Sequence, residues 1–213
     1  KVLCPASVAG LTVDDSVATL RLADDSTIAA RLVVSAEGGN AALREQLGIG
    51  SYERSYNQHG IVATVQTALP HDQTAWQRFL PTGPLAFLPL AEPNKCSIVW
   101  STSDSERLLA LSDEQFAAEL TQALGGRLGD CRLLGDRASF PLQAKLAETA
   151  IAKRFALVGD AAHVIHPLAG QGGNLALLDV ASLIDVLSVA RQRQRLAVAR
   201  SLSLAVAAAG RGW

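Results

Sequence analysis

The most informative part of the chain reads GDAAHVIHPLAGQGGN, residues 159–174. It directly follows four apolar residues, FALV at 155–158, a pattern that indicates a strand buried on both faces of a parallel sheet. From Asn174 to Ala190, apolar residues recur at helical spacing, which predicts a helix packed on that sheet. We therefore predict the order strand, glycine-rich loop and helix.

The residue types in this loop suit a bound ligand. A carboxylate at the end of a buried strand, here Asp160 after Gly159, can accept hydrogen bonds from sugar or polyol hydroxyls. Gly170, Gly172 and Gly173 let the backbone approach a flat ring, because no Cβ stands in the way. The helix that begins there directs its free N–H groups and positive dipole end at an anion or an electron-rich carbonyl. The glycines alone would also fit an ordinary loop between a strand and a helix.

The whole stretch resembles the second FAD motif of the flavoprotein aromatic hydroxylases, GDAAHxxxPxxGQGxN, and it matches every fixed position. By this resemblance, we expect Asp160, next to Gly159, to bind the ribityl or pyrophosphate part of FAD. The resemblance also implies that the isoalloxazine ring is lined, mostly by main-chain atoms, by Pro167, Gly170, Gln171, Gly172, Gly173 and Asn174.

A second motif, EGGNAALR at 37–44, follows the apolar run RLVVSA at 31–36, which predicts another buried strand. It is similar to the DGxNSxxR motif of the same family, which contacts FAD there and is associated with NAD(P)H use. Glu37 stands in place of the usual Asp, and Ala41 stands in place of the usual Ser. The resemblance implies cofactor contacts from Glu37, Gly38 and Arg44. By residue type alone, Arg44 is equally a charge on a helix surface.

A third segment, AWQRFLPTGPLAFLPL at 75–90, lies among extended patterns from Ile61 to Thr102 that have no helix between them, which predicts an antiparallel sheet. It resembles the substrate-domain sheet of the ubiquinone-biosynthesis hydroxylases, 2-polyprenylphenol hydroxylase and its relatives. The alternative role for this segment's apolar side chains is plain sheet core. By the resemblance, an apolar wall for a prenylated phenol would be formed by Phe79, Phe87, Leu88 and Pro89.

Together these patterns predict a mixed α/β fold: part of a Rossmann-like FAD-binding domain into which an antiparallel-sheet substrate domain is inserted. A capping box from Ser112 to Gln115 predicts one helix in the inserted domain, ended by Gly125 and Gly126. The expected divisions are 1–50 and 138–190 for the FAD-binding part, 51–137 for the inserted domain, and 191–213 for a helical tail.

Composition excludes several classes of protein. The chain has 213 residues, 49% of them hydrophobic, so it is too apolar for a disordered segment. Its formal net charge of −1 gives no overall basic field for nucleic acid. Three separated cysteines without a C-x-x-C pattern indicate a reducing, cytoplasmic compartment. Arginines flank the apolar stretch 196–209. Together they predict either an anchor at the periphery of the inner membrane or a solvated helix end.

Other chemistries find little support. Asp160, His163 and His166 have the three-residue spacing of helical metal ligands, but Pro167 and the glycines argue against a regular helix, so we expect no metal. Neither a G-x-S-x-G elbow nor a Walker loop is present, which leaves hydrolase and kinase functions unsupported.

The resemblance therefore implies an FAD-dependent monooxygenase of ubiquinone biosynthesis. It would use NAD(P)H and O2, form a flavin C4a-hydroperoxide and hydroxylate a polyprenylated phenol. The family's first FAD motif, G-x-G-x-x-G, is not found, and the chain starts at Lys1 without any Met, so we expect a missing upstream segment. By the same resemblance, this chain alone would hold FAD only weakly and would be inactive as an enzyme. A non-catalytic flavoprotein piece that serves as an assembly subunit for other ubiquinone-biosynthesis proteins is the alternative.

Overall fold

The computed structural model describes residues 1–167 and 170–192. Within them the chain forms two compact units. Unit 1 contains Lys1–Arg54 and the described residues from Ala144 onwards, and unit 2 contains Ser55–Gln143. One unit is thus inserted into the sequence of the other.

Two long strands run through both units: β5 (Ser51–Thr67) and β10 (Ala138–Ala147). The sequence placed the domain boundaries after residues 50 and 137, next to the first residues of these strands. In the structure, the boundary between the units lies a few residues inside each strand, after Arg54 in β5 and after Gln143 in β10. A strand can continue from one unit into the other, so no linker is needed.

Unit 1 begins with an antiparallel sheet of three strands. The carboxylate of Asp14 accepts hydrogen bonds from the backbone N–H groups of Ser16 and Val17, and these bonds lower the pKa of Asp14. The strands are β1 (Val8–Val13), β2 (Ala18–Leu22) and β3 (Thr27–Ala30).

The rest of unit 1 is built on a parallel pair of strands, as the two apolar runs predicted. Phe155 pairs with Val33 and Leu157 with Ser35, so both strands end at the same edge. The elements are β4 (Val33–Ser35), α1 (Ala42–Gln46), β11 (Ile151–Ala152), β12 (Phe155–Leu157), β13 (His163–Val164) and α4 (Gln171–Gln192).

Helix α4 forms an outer layer on this parallel pair. Leu183 packs against Ala156 and Val158, whereas Leu177 and Ile184 are exposed. Among the described helices, α4 alone is long and apolar enough, by length and composition, to cross a membrane. The apolar stretch 196–209 and the rest of the tail after Gln192 lie outside the described residues.

Unit 2 contains the elements β6 (Trp76–Leu80), β7 (Gly83–Pro89), β8 (Lys95–Thr102), α2 (Ser105–Ala110), α3 (Asp113–Ala123) and β9 (Cys131–Leu133). Its strands form an antiparallel sheet in the order β6, β7, β8, β5, β10, and β9 also pairs with β5. This agrees with the sheet expected from the sequence. A short helix, α2, and the strand β9 were not predicted.

Both helices of unit 2 pack on one face of its sheet. Leu108 of α2 and Phe116 of α3 join a buried core with alternate residues of the strands, among them Leu85 and Phe87. The predicted capping box is present, since Ser112 and Gln115 exchange hydrogen bonds at the start of α3. Because side chains alternate along a strand, the residues between these core positions lie on the opposite face.

Two leucines of strand β7 test this assignment of faces. Leu85 is fully buried and Leu88 is 40% exposed. We expect Leu85→Ala to lower the free energy of unfolding by about 2–5 kcal/mol, and Leu88→Ala by about 1 kcal/mol or less. Urea unfolding followed by circular dichroism measures both, and equal losses would contradict the assignment.

The three cysteines, all within the described residues, should differ in reactivity. Cys4 is exposed, whereas Cys96 is buried and Cys131 is half-buried. Burial raises the pKa of both the Cys96 and the Cys131 thiol, which lowers their thiolate fraction at pH 8. We expect a thiol reagent to modify Cys4 at least about tenfold faster, and all three at similar rates in denaturant. Mass spectrometry of peptides identifies the modified thiols. Rapid labelling of Cys96 in the native protein would contradict its burial in the core.

Candidate cofactor site

The parallel pairing in unit 1 brings the two sequence motifs together. Beyond the last paired residues, the N–H of Val158 donates to the carbonyl of Ser35 over 3.1 Å. The motif at 37–44 and the motif at 159–174 therefore leave the sheet at the same edge. A Cβ built on Gly39 would lie 3.1 Å from Cγ2 of Val164, so the two loops are also in contact.

Gly159 and Asp160 form a tight 3₁₀ turn, Gly159–Ala161, directly after β12. Gly159 has φ +62°, and a Cβ there would lie 3.1 Å from the Cβ of Ala176 in α4. Glycine therefore provides both the left-handed backbone and the close approach of the helix. The side chain of Asp160 is exposed, and its Oδ1 lies 3.9 Å from the position of a Cβ on Gly172.

The first turn of α4 carries the predicted ring-lining residues. Gln171 begins the helix, and its Oε1 accepts a hydrogen bond from Nδ2 of Asn174 over 3.2 Å. A Cβ on Gly170 or Gly173 would meet no atom of residues 1–167 or 170–192 within 4 Å, so among these residues the backbone there borders open space. Because first-turn N–H groups have no partner within the helix, this surface offers donors without side chains in front of them. Pro167 precedes it and is half-buried.

Asp179 is a residue of this site that the sequence analysis missed. Its Oδ2 accepts the N–H of Gly159 over 2.8 Å and lies 2.7 Å from Nε2 of His163. It occupies α4 two turns beyond Gln171 and is 20% exposed on its side chain. An acidic residue inside the apolar run of a helix was the available signal, since such a group is rarely half-buried without partners.

The cofactor contacts expected of Glu37 and Arg44 stay a prediction, and within the protein both side chains have polar partners. Oε2 of Glu37 accepts hydrogen bonds from Oγ of Ser35 over 2.7 Å and from the N–H of Leu43 over 3.3 Å, so it fixes the start of α1. The Arg44 side chain is only 3% exposed and its Nη2 lies 3.4 Å from Oε1 of Glu45, so it is not a surface charge. Gly38 has φ +78°, and a Cβ there would have no atom of the described residues within 4 Å.

The histidines of the loop do not form a helical metal site. Asp160 lies in the 3₁₀ turn and His163 in strand β13, so the three-residue spacing does not place them on one helix face. Among residues 1–167 and 170–192, no group of three His, Cys, Asp or Glu side chains could hold a metal ion. Burial lowers the pKa of His166, which favours its neutral form at pH 7.

The four residues expected to form an apolar wall in unit 2 do not form a single surface. Phe87 is fully buried in the helix-covered core, and Pro89 is an even number of positions from it on the same face. Leu88 and Phe79 lie on the opposite face, where they are 40% and 72% exposed. The alternation of the strand separates the four residues into two pairs.

The opposite face, which we term the open face, carries further apolar groups that sequence reasoning missed. Val99 lies between Ala86 and Val62 on neighbouring strands. A Cβ on Gly60 would lie 2.9 Å from the ring of Phe140, which is 42% exposed, so this ring rests on the glycine backbone. Neighbouring strands thus bring together residues that are up to 80 positions apart in the sequence.

Comparison with known proteins identifies the family. A family model described as FAD binding domain matches residues 8–207. The chain is 44% identical over 193 residues to ubiquinone hydroxylase UbiL of Rhodospirillum rubrum, covering 90% of this chain and 44% of that protein. It is 41% identical over 189 residues to 3-demethoxyubiquinol 3-hydroxylase of Escherichia coli, covering 88% and 48%.

Solved structures show the same fold. The structure of pqsL from Pseudomonas aeruginosa superposes with a TM-score of 0.76 at 24% identity, covering 95% of this chain and 58% of that one. Aklavinone-11 hydroxylase, solved in a ternary complex with FAD and aklavinone, gives a TM-score of 0.70 at 23% identity, covering 88% and 37%.

The chain spans just under half the length of the two curated relatives described above. Across that span, its sequence matches the family model and its fold is that of flavin-dependent hydroxylases. The chain therefore belongs to the FAD binding domain family, and its sequence is similar to parts of two ubiquinone-pathway hydroxylases.

Proposed function

We propose that this chain is the FAD-holding and substrate-binding part of a monooxygenase that hydroxylates a polyprenylated phenol in ubiquinone biosynthesis, with NAD(P)H and O2 as co-substrates. The observation that carries the proposal is the meeting of the two motifs at one sheet edge, beside the open first turn of α4. The names of the relatives UbiL and 3-demethoxyubiquinol 3-hydroxylase support the pathway.

The residues present fit FAD. Within the part of the chain that the structure describes, open space beside Gly38, Gly170 and Gly173 leaves room for a flat ring against bare backbone. The exposed carboxylate of Asp160 lies at the start of α4, where it can accept hydrogen bonds from ribityl hydroxyls. In our proposal FAD is held by Gly159, Asp160, Pro167, Gly170, Gln171, Gly172, Gly173 and Asn174.

When bound, FAD supplies electron transfer from NAD(P)H and transfer of an oxygen atom from O2 to the phenol. The chain itself binds and orients FAD and the phenol, and it shields them from water. The N–H groups of the first turn of α4, from Gln171 onwards, stabilise negative charge next to them, because they form the positive end of the helix dipole. Glu37 and Arg44 support this site from within the protein, Glu37 by fixing the start of α1 and Arg44 by packing.

The open face of unit 2 is the surface that we propose for the phenol. Leu88, Phe79, Val99 and Phe140 give it apolar and aromatic groups, and Ser97 between Leu88 and Thr64 adds hydroxyls. A prenylated phenol has the same combination of a long apolar chain and a polar ring. Burial of its chain on this face would supply most of the binding free energy.

We further propose a cytoplasmic location with at most peripheral contact with the inner membrane. Free cysteines fit a reducing compartment, and the exposed leucines of α4 provide apolar surface for such contact. We also propose that other ubiquinone-biosynthesis proteins are partners of this chain, since the intermediates of the pathway are apolar.

Asp160 gives the first test of this function. We expect the purified chain to bind FAD, and Asp160→Ala to weaken binding about tenfold, because a charged acceptor for the cofactor's hydroxyls is lost. Quenching of FAD fluorescence on titration measures the affinity. Asp136→Ala, at an exposed position in unit 2, is the matched control and should leave the affinity unchanged. A wild-type chain that does not bind added FAD would instead favour the non-catalytic assembly subunit.

Leu88 tests the substrate surface. We expect Leu88→Ala to weaken binding of a short prenylated phenol about three- to tenfold, because part of the apolar contact is removed. Quenching of tryptophan fluorescence follows the titration. Leu109 of α2 has a similar exposed fraction, 37% against 40%, and Leu109→Ala is the control. Equal effects of the two substitutions would indicate that the phenol does not bind on the open face.

A further inference from the structure

Asp179 links two elements of the cofactor site that are separate in the sequence. Its Oδ2 accepts two hydrogen bonds, from the N–H of Gly159 over 2.8 Å and from Nε2 of His163 over 2.7 Å. Gly159 opens the turn that carries Asp160, and His163 lies just beyond that turn in β13. One carboxylate oxygen of α4 therefore holds the turn at both ends.

These bonds determine how the helix and the turn are spaced. Asp179 is eight residues beyond Gln171, or about 12 Å along the helix axis. Closer to the site, a Cβ on Gly159 would lie only 3.1 Å from the Cβ of Ala176, so the helix lies directly against the turn. A movement of α4 relative to the turn would break the Asp179 bonds, and it would change the gap between Asp160 and Gly172.

We propose that Asp179 and His163 are positioning residues for FAD, which hold Asp160 at a fixed distance from the first turn of α4. This inference rests on the proposed function and adds two residues that do not themselves contact the cofactor. In this proposal FAD is bound by two groups on different elements, the carboxylate of Asp160 in the turn and the N–H groups of the first turn of α4. Their spacing must be fixed before FAD arrives, because ordering them during binding would reduce the affinity.

An acceptor is what this position requires. The Gly159 N–H is half-buried and would be left without a partner if the acceptor were removed, which costs more than the bond itself contributes. An Asn at position 179 can present its amide oxygen to both donors, whereas an Ala cannot. The comparison of these two variants separates loss of the acceptor from a general effect of mutating the helix.

The test compares Asp179→Ala and Asp179→Asn with Asp185→Ala. Asp185 is an exposed carboxylate on the same helix, so it is the matched control. We expect Asp179→Ala to raise the FAD dissociation constant at least about tenfold, Asp179→Asn to remain within about threefold of wild type, and Asp185→Ala to have no effect. Quenching of FAD fluorescence gives the constants. Unchanged FAD affinity in Asp179→Ala would overturn the inference.

A second measurement does not need the cofactor. Amide hydrogen exchange of Gly159, followed by NMR of the labelled chain, should accelerate at least about tenfold in Asp179→Ala and stay near wild type in Asp179→Asn and Asp185→Ala. If Asp179→Ala does not fold, His163→Ala replaces it, with His163→Gln as the variant that keeps a donor. Unchanged exchange at Gly159 would overturn the inference, whereas wild-type protein that fails to bind FAD would overturn the proposed function.

Discussion

Parallel pairing of β4 with β12 is the constraint on which the rest of unit 1 depends. Paired residues of the two strands are 122 positions apart in the sequence, as Val33 opposite Phe155 shows. Parallel strands cannot be joined by a tight turn, so the chain between them must make a long crossover, and here that crossover contains a whole second unit. Because the strands point the same way, both motifs emerge at one edge, where polar groups can meet a ligand.

Close approach of backbone to backbone is the second feature of this edge. Gly159 lets α4 lie against the end of β12, and Asp179 then satisfies the glycine's N–H group. The glycines of the α4 first turn leave the surface beyond it bare. The same residue type thus serves two purposes: inside the protein it allows packing, and at the surface it leaves space for a cofactor.

In unit 2, strand alternation decides which side chains could meet a substrate. Leu88 and Phe87 are neighbours in the sequence, yet one is exposed and the other is buried beneath α2 and α3. The open face therefore combines residues from several strands, such as Val62 beside Val99. An apolar segment read along the sequence mixes the two faces, whereas a surface is read across the strands.

Local patterns were enough to predict the parallel strands, the antiparallel sheet, the capping box at Ser112 and the glycine-rich turn, because each depends on residues close together in the sequence. Contacts between distant residues were not predictable in this way. The burial of Arg44, the capping of α1 by Glu37 and the two bonds of Asp179 all depend on which elements pack together. Residue order carries the local preferences and the cofactor motif, and only packing in three dimensions assigns each polar side chain its partner.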